Sequence, residues 1–170
     1  MAEYRPPAYV QPIEKGRKMA DMVVSGELAG AIGVEINAPN VKPLIPLAAQ
    51  AGLDALRTRG HYPINHLIVV RDDVLRAQPQ LAPALFEAFA ESKRRYVARL
   101  RAGSIDPPTP VDALHRSVMA VTGADPLPYG IDANRQALQD ALAAAVEQGI
   151  VDRAPTLEEL FPHNTHQLSA

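Results

Sequence analysis

The sequence predicts a helix-rich α/β fold with a small, incomplete sheet, and three observations carry that expectation. Five or six segments repeat apolar residues at helical spacing, only two short runs have the composition of strands, and glycines or prolines separate most of them. A helix shows its buried stripe as a recurrence every three to four residues, whereas a buried strand reads as a short continuous apolar run. Two strands alone do not make a stable sheet, so further strands are expected to complete it.

The first dozen residues, with Pro6, Pro7 and Pro12, read as an irregular lead-in. From about Ile13 to Ser25, Met19, Met22 and Val23 suggest a short helix stopped by Gly26. Leu28 to Ile36 is almost continuously apolar or small, with Gly30 and Gly33, and reads as a buried strand, although periodicity alone leaves a helix open. A second helical stretch sets Leu44, Leu47, Leu53 and Leu56 on one side, interrupted by Pro46 and Gly52. The run His66 to Val70 is the best strand in the chain, β-branched and bounded by Pro63 and by Asp72-Asp73.

A long helix is expected from about Pro79 to Arg101, on Leu81, Leu85, Phe89, Tyr96 and Leu100, with the prolines at 79 and 83 leaving its start open by a turn. Thr109-Pro110-Val111-Asp112 has the form of an N-cap followed by proline and an acid, and the helix it opens ends at Gly123. The loop Asp125-Pro-Leu-Pro-Tyr-Gly130 leads into a helix from about Asp132 to Gln148, closed by Gly149. Thr156-Leu-Glu-Glu159 opens a last short turn before a polar tail.

Composition narrows the function classes. The chain has 170 residues and a formal charge of −2, which gives no footing for a polyanion, so no nucleic-acid partner is expected. Its most basic cluster, Lys93-Arg94-Arg95 with Arg99 and Arg101, follows Glu87 and Glu91 at helical spacing and reads as a solvated face. The absence of cysteine removes disulfides, thiolate nucleophiles and cysteine-ligated metal. No run approaches the ~18 consecutive apolar residues of a membrane span, and no signal-peptide pattern is visible, so a cytoplasmic chain with no membrane partner is expected.

No cofactor is expected either. There is no phosphate-cradling glycine loop and no nucleophile elbow. His61 and His66 lie across a proline, and His163 with His166 sit in the polar tail; neither pair has a carboxylate at a spacing that specifies a metal.

Several motifs, in order, carry a resemblance. They are Ser25-Gly-Glu-Leu28, then Thr58-Arg-Gly-His-Tyr-Pro-Ile-Asn-His66, then the stretch from Val74 to Arg95 with Phe89 and Lys93. Asp125-Pro-Leu-Pro-Tyr-Gly130 with Asn134-Arg135 follows, and Glu147-Gln-Gly149 with Thr156-Leu-Glu-Glu-Leu-Phe161 closes the set. Together these resemble the 4,5-dihydroxyphthalate decarboxylase family, whose members are longer; this chain is similar to their second half. The resemblance implies a type II periplasmic-binding-protein-like fold of two lobes. Residues 1–58 would be a remnant of the second lobe (helix, strand, helix), and 59–170 a strand and helical layer returning to the first. Ala29 and Gly30 depart from the family's usual Asp-Ala pair.

The implied chemistry is removal of one carboxylate from a dihydroxylated aromatic diacid, giving protocatechuate and carbon dioxide. It requires an anchor for the remaining carboxylate, an acid to protonate the ring carbon and a seat of low polarity. His66 is the candidate catalytic acid or base, since imidazole suits proton transfer near neutrality; the competing reading has it capping the strand. Arg135 is a candidate carboxylate clamp or, equally, a surface charge in the first turn of its helix. Tyr129, Asn65, His61 and Asn134 are candidates for hydrogen bonds to the substrate, each with a packing or turn role as the alternative. A non-catalytic aromatic-carboxylate or solute-binding module is the other function open at this point. A homo-oligomer, or a separate N-terminal half, would supply the missing strands.

Overall fold

The computed structural model describes residues 6, 8–60 and 62–170. The chain divides into two compact units, Met1–Ala48 and Ala49–Ala170. In the first, helix α1 (Met19–Val24) is shorter than the apolar pattern suggests and buries only Met22 and Val23. Gly26, at a φ of 81°, takes the left-handed conformation that lets the chain double back, so the Leu28 amide reaches the Met22 carbonyl at 3.0 Å. An ion pair between Arg17 and Glu27 spans the same turn.

The second unit opens with α2 (Ala48–Arg59). Leu47 sits at a φ of 56° immediately before it, so the helix starts later than the leucine spacing predicts and buries only Leu56. Helix α3 (Asp72–Ala77) was not apparent in the apolar pattern; it carries Asp72 and Asp73 in its first turn, where carboxylates complement the helix dipole.

The core of this unit is built from the three longest helices. Helix α4 (Leu81–Arg101) buries Ala90, Lys93, Val97 and Leu100, a stripe of three- and four-residue steps along one face. Helix α5 (Pro110–Thr122) begins with the expected cap: the Asp112 amide donates to Thr109 Oγ1, and the Thr109 amide donates to the Asp112 carboxylate. It stops at Gly123, whose φ of 68° is left-handed. Helix α6 (Ile131–Glu147) buries Ile131 and Leu138 against Leu157 of the short α7 (Leu157–Leu160), with Ile64, Leu142 and Phe161 around them. A 3₁₀ turn, His163–Thr165, follows.

The α/β expectation is corrected. Among the described residues there is no strand, and the one β pairing is an isolated bridge between Gly130 and Ser169. The run 28–36 is not a strand: Gly33 turns it at a φ of 73°, and Ile32 is 98% exposed. The run 66–70 meets no neighbouring strand among the described residues, and Val69 is 88% exposed. Apolar composition favours a strand only where a ladder and a covering layer receive it, and neither run has one here. The two-lobed sheet architecture implied by the resemblance is therefore replaced by helices joined by irregular segments. No helix among the described residues is long and apolar enough to cross a membrane.

Candidate functional site

The site is a cleft of about 490 Å³ between the segment 63–67 and one face of α6. That volume lies within the range of small-molecule pockets. Two side chains pin the segment. Tyr62 donates its hydroxyl to the Pro126 carbonyl at 2.9 Å, and Ile64 packs on the Ile131, Leu138 and Leu157 cluster. His66 and Asn65 line the cleft with Pro63 and Leu67.

The opposite wall has a sequence-level cause. Ala137 and Ala141 are one helical step apart with Leu138 between them, and small side chains on the same face leave room beside the helix. Asp140 is the only acidic group on this wall, and Gln136 Nε2 donates to its carboxylate at 2.8 Å. The cleft thus combines an apolar floor, an amide, one imidazole and one carboxylate.

The structure brings together only part of the predicted site. His66 is exposed and makes no side-chain hydrogen bond among the described residues, so the strand-capping alternative fails for want of a strand. Arg135 points elsewhere: it donates to Asp132 at 2.7 Å and lies 3.9 Å from Glu158, and the bond to Asp132 raises its pKa further. Asn134 Nδ2 donates to the carbonyls of Pro128 and Gly130 at 2.9 and 2.8 Å, which closes the turn into α6. Tyr129 packs edge-on against Phe86 and exchanges backbone hydrogen bonds with Ala170. His61 lies outside the described residues.

Two polar clusters escaped the sequence reading. Lys93 belongs to the buried face of α4, not to the solvated one: its ammonium donates to Asp125 Oδ2 at 2.6 Å and to the Leu127 carbonyl at 3.1 Å, and lies 4.7 Å from the centre of the Tyr129 ring. Arg94 and Arg95 beside it are exposed and paired with Glu91. Burial, and then the Asp125 charge, raise the pKa of Tyr62. One signal was available, since Lys93 falls in step with Ala90, Val97 and Leu100.

The second cluster joins α4 to α5. Tyr96 donates its hydroxyl to Asp112 Oδ1 at 2.7 Å, and His115 Nδ1 lies 2.8 Å from the same hydroxyl. Because the hydroxyl proton goes to the carboxylate, the imidazole N–H is the donor to the phenol oxygen. Hydrogen bonds from the Thr109 side chain and backbone, with that of Tyr96, hold the Asp112 pKa down at about 2. Burial and the bond to Asp112 push Tyr96 up to about 12. Among the described residues no buried side-chain polar atom of either cluster lacks a partner, so the two clusters fix helices and a loop.

No protein-family model matches the sequence, and comparison with curated proteins finds no match.

Proposed function

We propose that the cleft between residues 63–67 and α6 holds an aromatic carboxylic acid and that His66 delivers the proton in its decarboxylation. The observation that carries the reading is the placement of one exposed imidazole beside a wall of small apolar side chains. A flat ring fits against Ala137, Leu138 and Ala141, and the same apolar surface disfavours the departing carboxylate more than the carbon dioxide it becomes, which is the direction decarboxylation requires. Loss of carbon dioxide leaves the bonding electron pair on the ring carbon; a proton from imidazolium His66 restores the C–H bond. Asn65 offers the amide for a ring hydroxyl. The resemblance of residues 58–66 and 125–135 to the 4,5-dihydroxyphthalate decarboxylase family supports a dihydroxylated aromatic diacid as the substrate.

The geometry assigns Arg135 no part in this, because its guanidinium is already committed to Asp132 and Glu158. That commitment favours a second reading, binding without turnover, since among the described residues no cation lines the cleft to hold the second carboxylate. The two readings separate in one experiment. Calorimetric titration with 4,5-dihydroxyphthalate is run beside an assay for protocatechuate and carbon dioxide, on the parent chain and on His66→Ala. The catalytic reading expects turnover that falls about 10²-fold or more in the variant. Full activity in His66→Ala removes the acid role, and saturable binding with no product assigns the chain to the binding class.

A further inference from the structure

We infer that His163 and His166 form a two-imidazole site for a divalent transition-metal ion of the zinc and nickel kind, separate from the cleft. The sequence alone offers no reason to expect metal here, because the pair sits in a polar tail with no carboxylate at a spacing that specifies one. The local conformation changes that argument. Residues His163–Thr165 form a 3₁₀ turn with His166 at its end, and in a 3₁₀ helix positions i and i+3 eclipse. The two imidazoles accordingly stand side by side, ring centres 5.3 Å apart and planes at 53°.

The proton placement suits a ligand. His166 Nε2 lies 2.9 Å from the Phe161 carbonyl oxygen, and a carbonyl can only accept, so Nε2 carries the hydrogen. In the neutral ring Nδ1 then bears the free lone pair. A metal-bound histidine usually has this arrangement: one nitrogen donates to a backbone carbonyl, fixing the tautomer and the ring, while the other meets the ion. Phe161 is itself anchored in the Ile131, Leu138 and Leu157 cluster, so the support is not a loose one.

The turn is also braced before any ion arrives. Asn164 Nδ2 donates to the Pro79 carbonyl at 2.8 Å, tying the turn to the start of α4. The amide and the hydroxyl of Thr165 both donate to the Pro162 carbonyl, at 2.8 and 2.7 Å. Only the exposed His163 ring has to be positioned on binding, which lowers the ordering cost. Among the described residues no group of three or more histidine, cysteine or acidic side chains gathers anywhere. The ion would thus keep water in its remaining positions, and the site would be selective by ligand type: imidazole suits zinc, nickel and copper, and not magnesium or calcium.

The full chain is titrated with zinc chloride by calorimetry, with magnesium chloride as the contrast, and the imidazole nitrogens are followed by NMR. One equivalent of zinc is expected, with no response to magnesium and with the largest shifts at His166 Nδ1 and the His163 ring. His163→Ala and His166→Ala should each weaken binding by about tenfold or more, because two tethered ligands outbind one by at least that factor. His163→Ala removes an exposed side chain that makes no hydrogen bond among the described residues, so its effect stays readable should His166→Ala disturb the turn. Zinc affinity unchanged in His163→Ala, or shifts centred on His66 or His115 in the parent chain, would overturn the inference.

Discussion

Replacing Asp125 by alanine leaves the Lys93 ammonium buried, with only the Leu127 carbonyl and the Tyr129 ring beside it. The two charges meet at 2.6 Å, and the Lys93 side chain is 2% exposed against 31% for Asp125. At an effective permittivity of ~20 their attraction is about 6 kcal/mol, most of it offset by the cost of taking the ammonium out of water. Asp125 is partly wetted, which places the loss at the low end for a broken buried pair, about 3 kcal/mol. Asp125 also accepts from the Leu127 amide at 2.8 Å, so the same change loosens the loop that carries Tyr129. Lys93→Met is the informative comparison. It keeps an unbranched apolar stem beside Ala90 and Val97 and leaves the stranded carboxylate access to solvent, at a cost below about 1.5 kcal/mol. In urea unfolding followed by far-UV circular dichroism, a slope of about 1.5 kcal/mol per molar gives midpoint losses of about 2 M for Asp125→Ala and less than about 1 M for Lys93→Met. Adding Lys93→Met to Asp125→Ala should recover part of the loss, because it removes the stranded charge. If Lys93→Met alone costs as much as Asp125→Ala, the pair is not the buried-cation device described and the reasoning fails.

Two further outcomes follow from geometry of the same kind. Gly130 has a φ of 110°, and a Cβ there would lie 2.5 Å from the Leu168 carbonyl oxygen, so Gly130→Ala should lower the urea midpoint by an amount equal to about 2 kcal/mol or more. Gly52→Ala, in the middle of α2 with open space around it, should raise the midpoint instead; equal signs for the two would refute the steric account. The Asp112 carboxyl has its pKa lowered from 3.8 to about 2 in the fold, so the native state binds fewer protons than the unfolded chain between those values. Its contribution is present above about pH 4 and lost as pH falls toward about 2, whereas Tyr96, raised from 10.0 to about 12, loses its own as pH rises through that alkaline window. Melting temperatures across pH should show a shallower acid limb in Asp112→Asn than in the parent; identical limbs would mean the carboxylate is not linked to folding.

Local signals carried much of the helical layer. The Thr109-Pro110-Asp112 pattern marked the start of α5 because a capping box is satisfied within four residues, and Gly123 marked its end because only a left-handed residue closes it there. Helix α6 was legible to within a residue at each end for similar reasons. The failures were non-local. His66 to Val70 has the β-branched composition of a strand, but a strand exists only through its partner, and the sequence does not encode whether one is present. Lys93 was grouped with Arg94 and Arg95 because adjacent charges look alike, whereas its environment is set by Asp125, 32 positions further on. Of the cleft, the wall carrying Asn65 and His66 was legible from its motif. The opposite wall was not, since Ala137 and Ala141 are informative only once their face of α6 is known. Arg135 drew attention for the chemistry of its guanidinium; its pair with Asp132 is local to α6, whereas the contact with Glu158 became apparent only from the packing of α7 beside α6.

The unladdered run at 66–70 has a consequence for the molecule in concentrated solution. Leu67, Ile68 and Val69 are each more than half exposed, and among the described residues no backbone hydrogen bond joins them to another segment. An exposed apolar segment with free amides and carbonyls is a template on which a like segment can lie. Charged neighbours normally guard such stretches by repulsion; Arg71 and Asp73 neutralise one another in an ion pair, which leaves Asp72 as the one net charge beside the run. The run is therefore guarded by a single carboxylate, and a second acidic charge placed at Val69 would strengthen the barrier to a like segment lying on it.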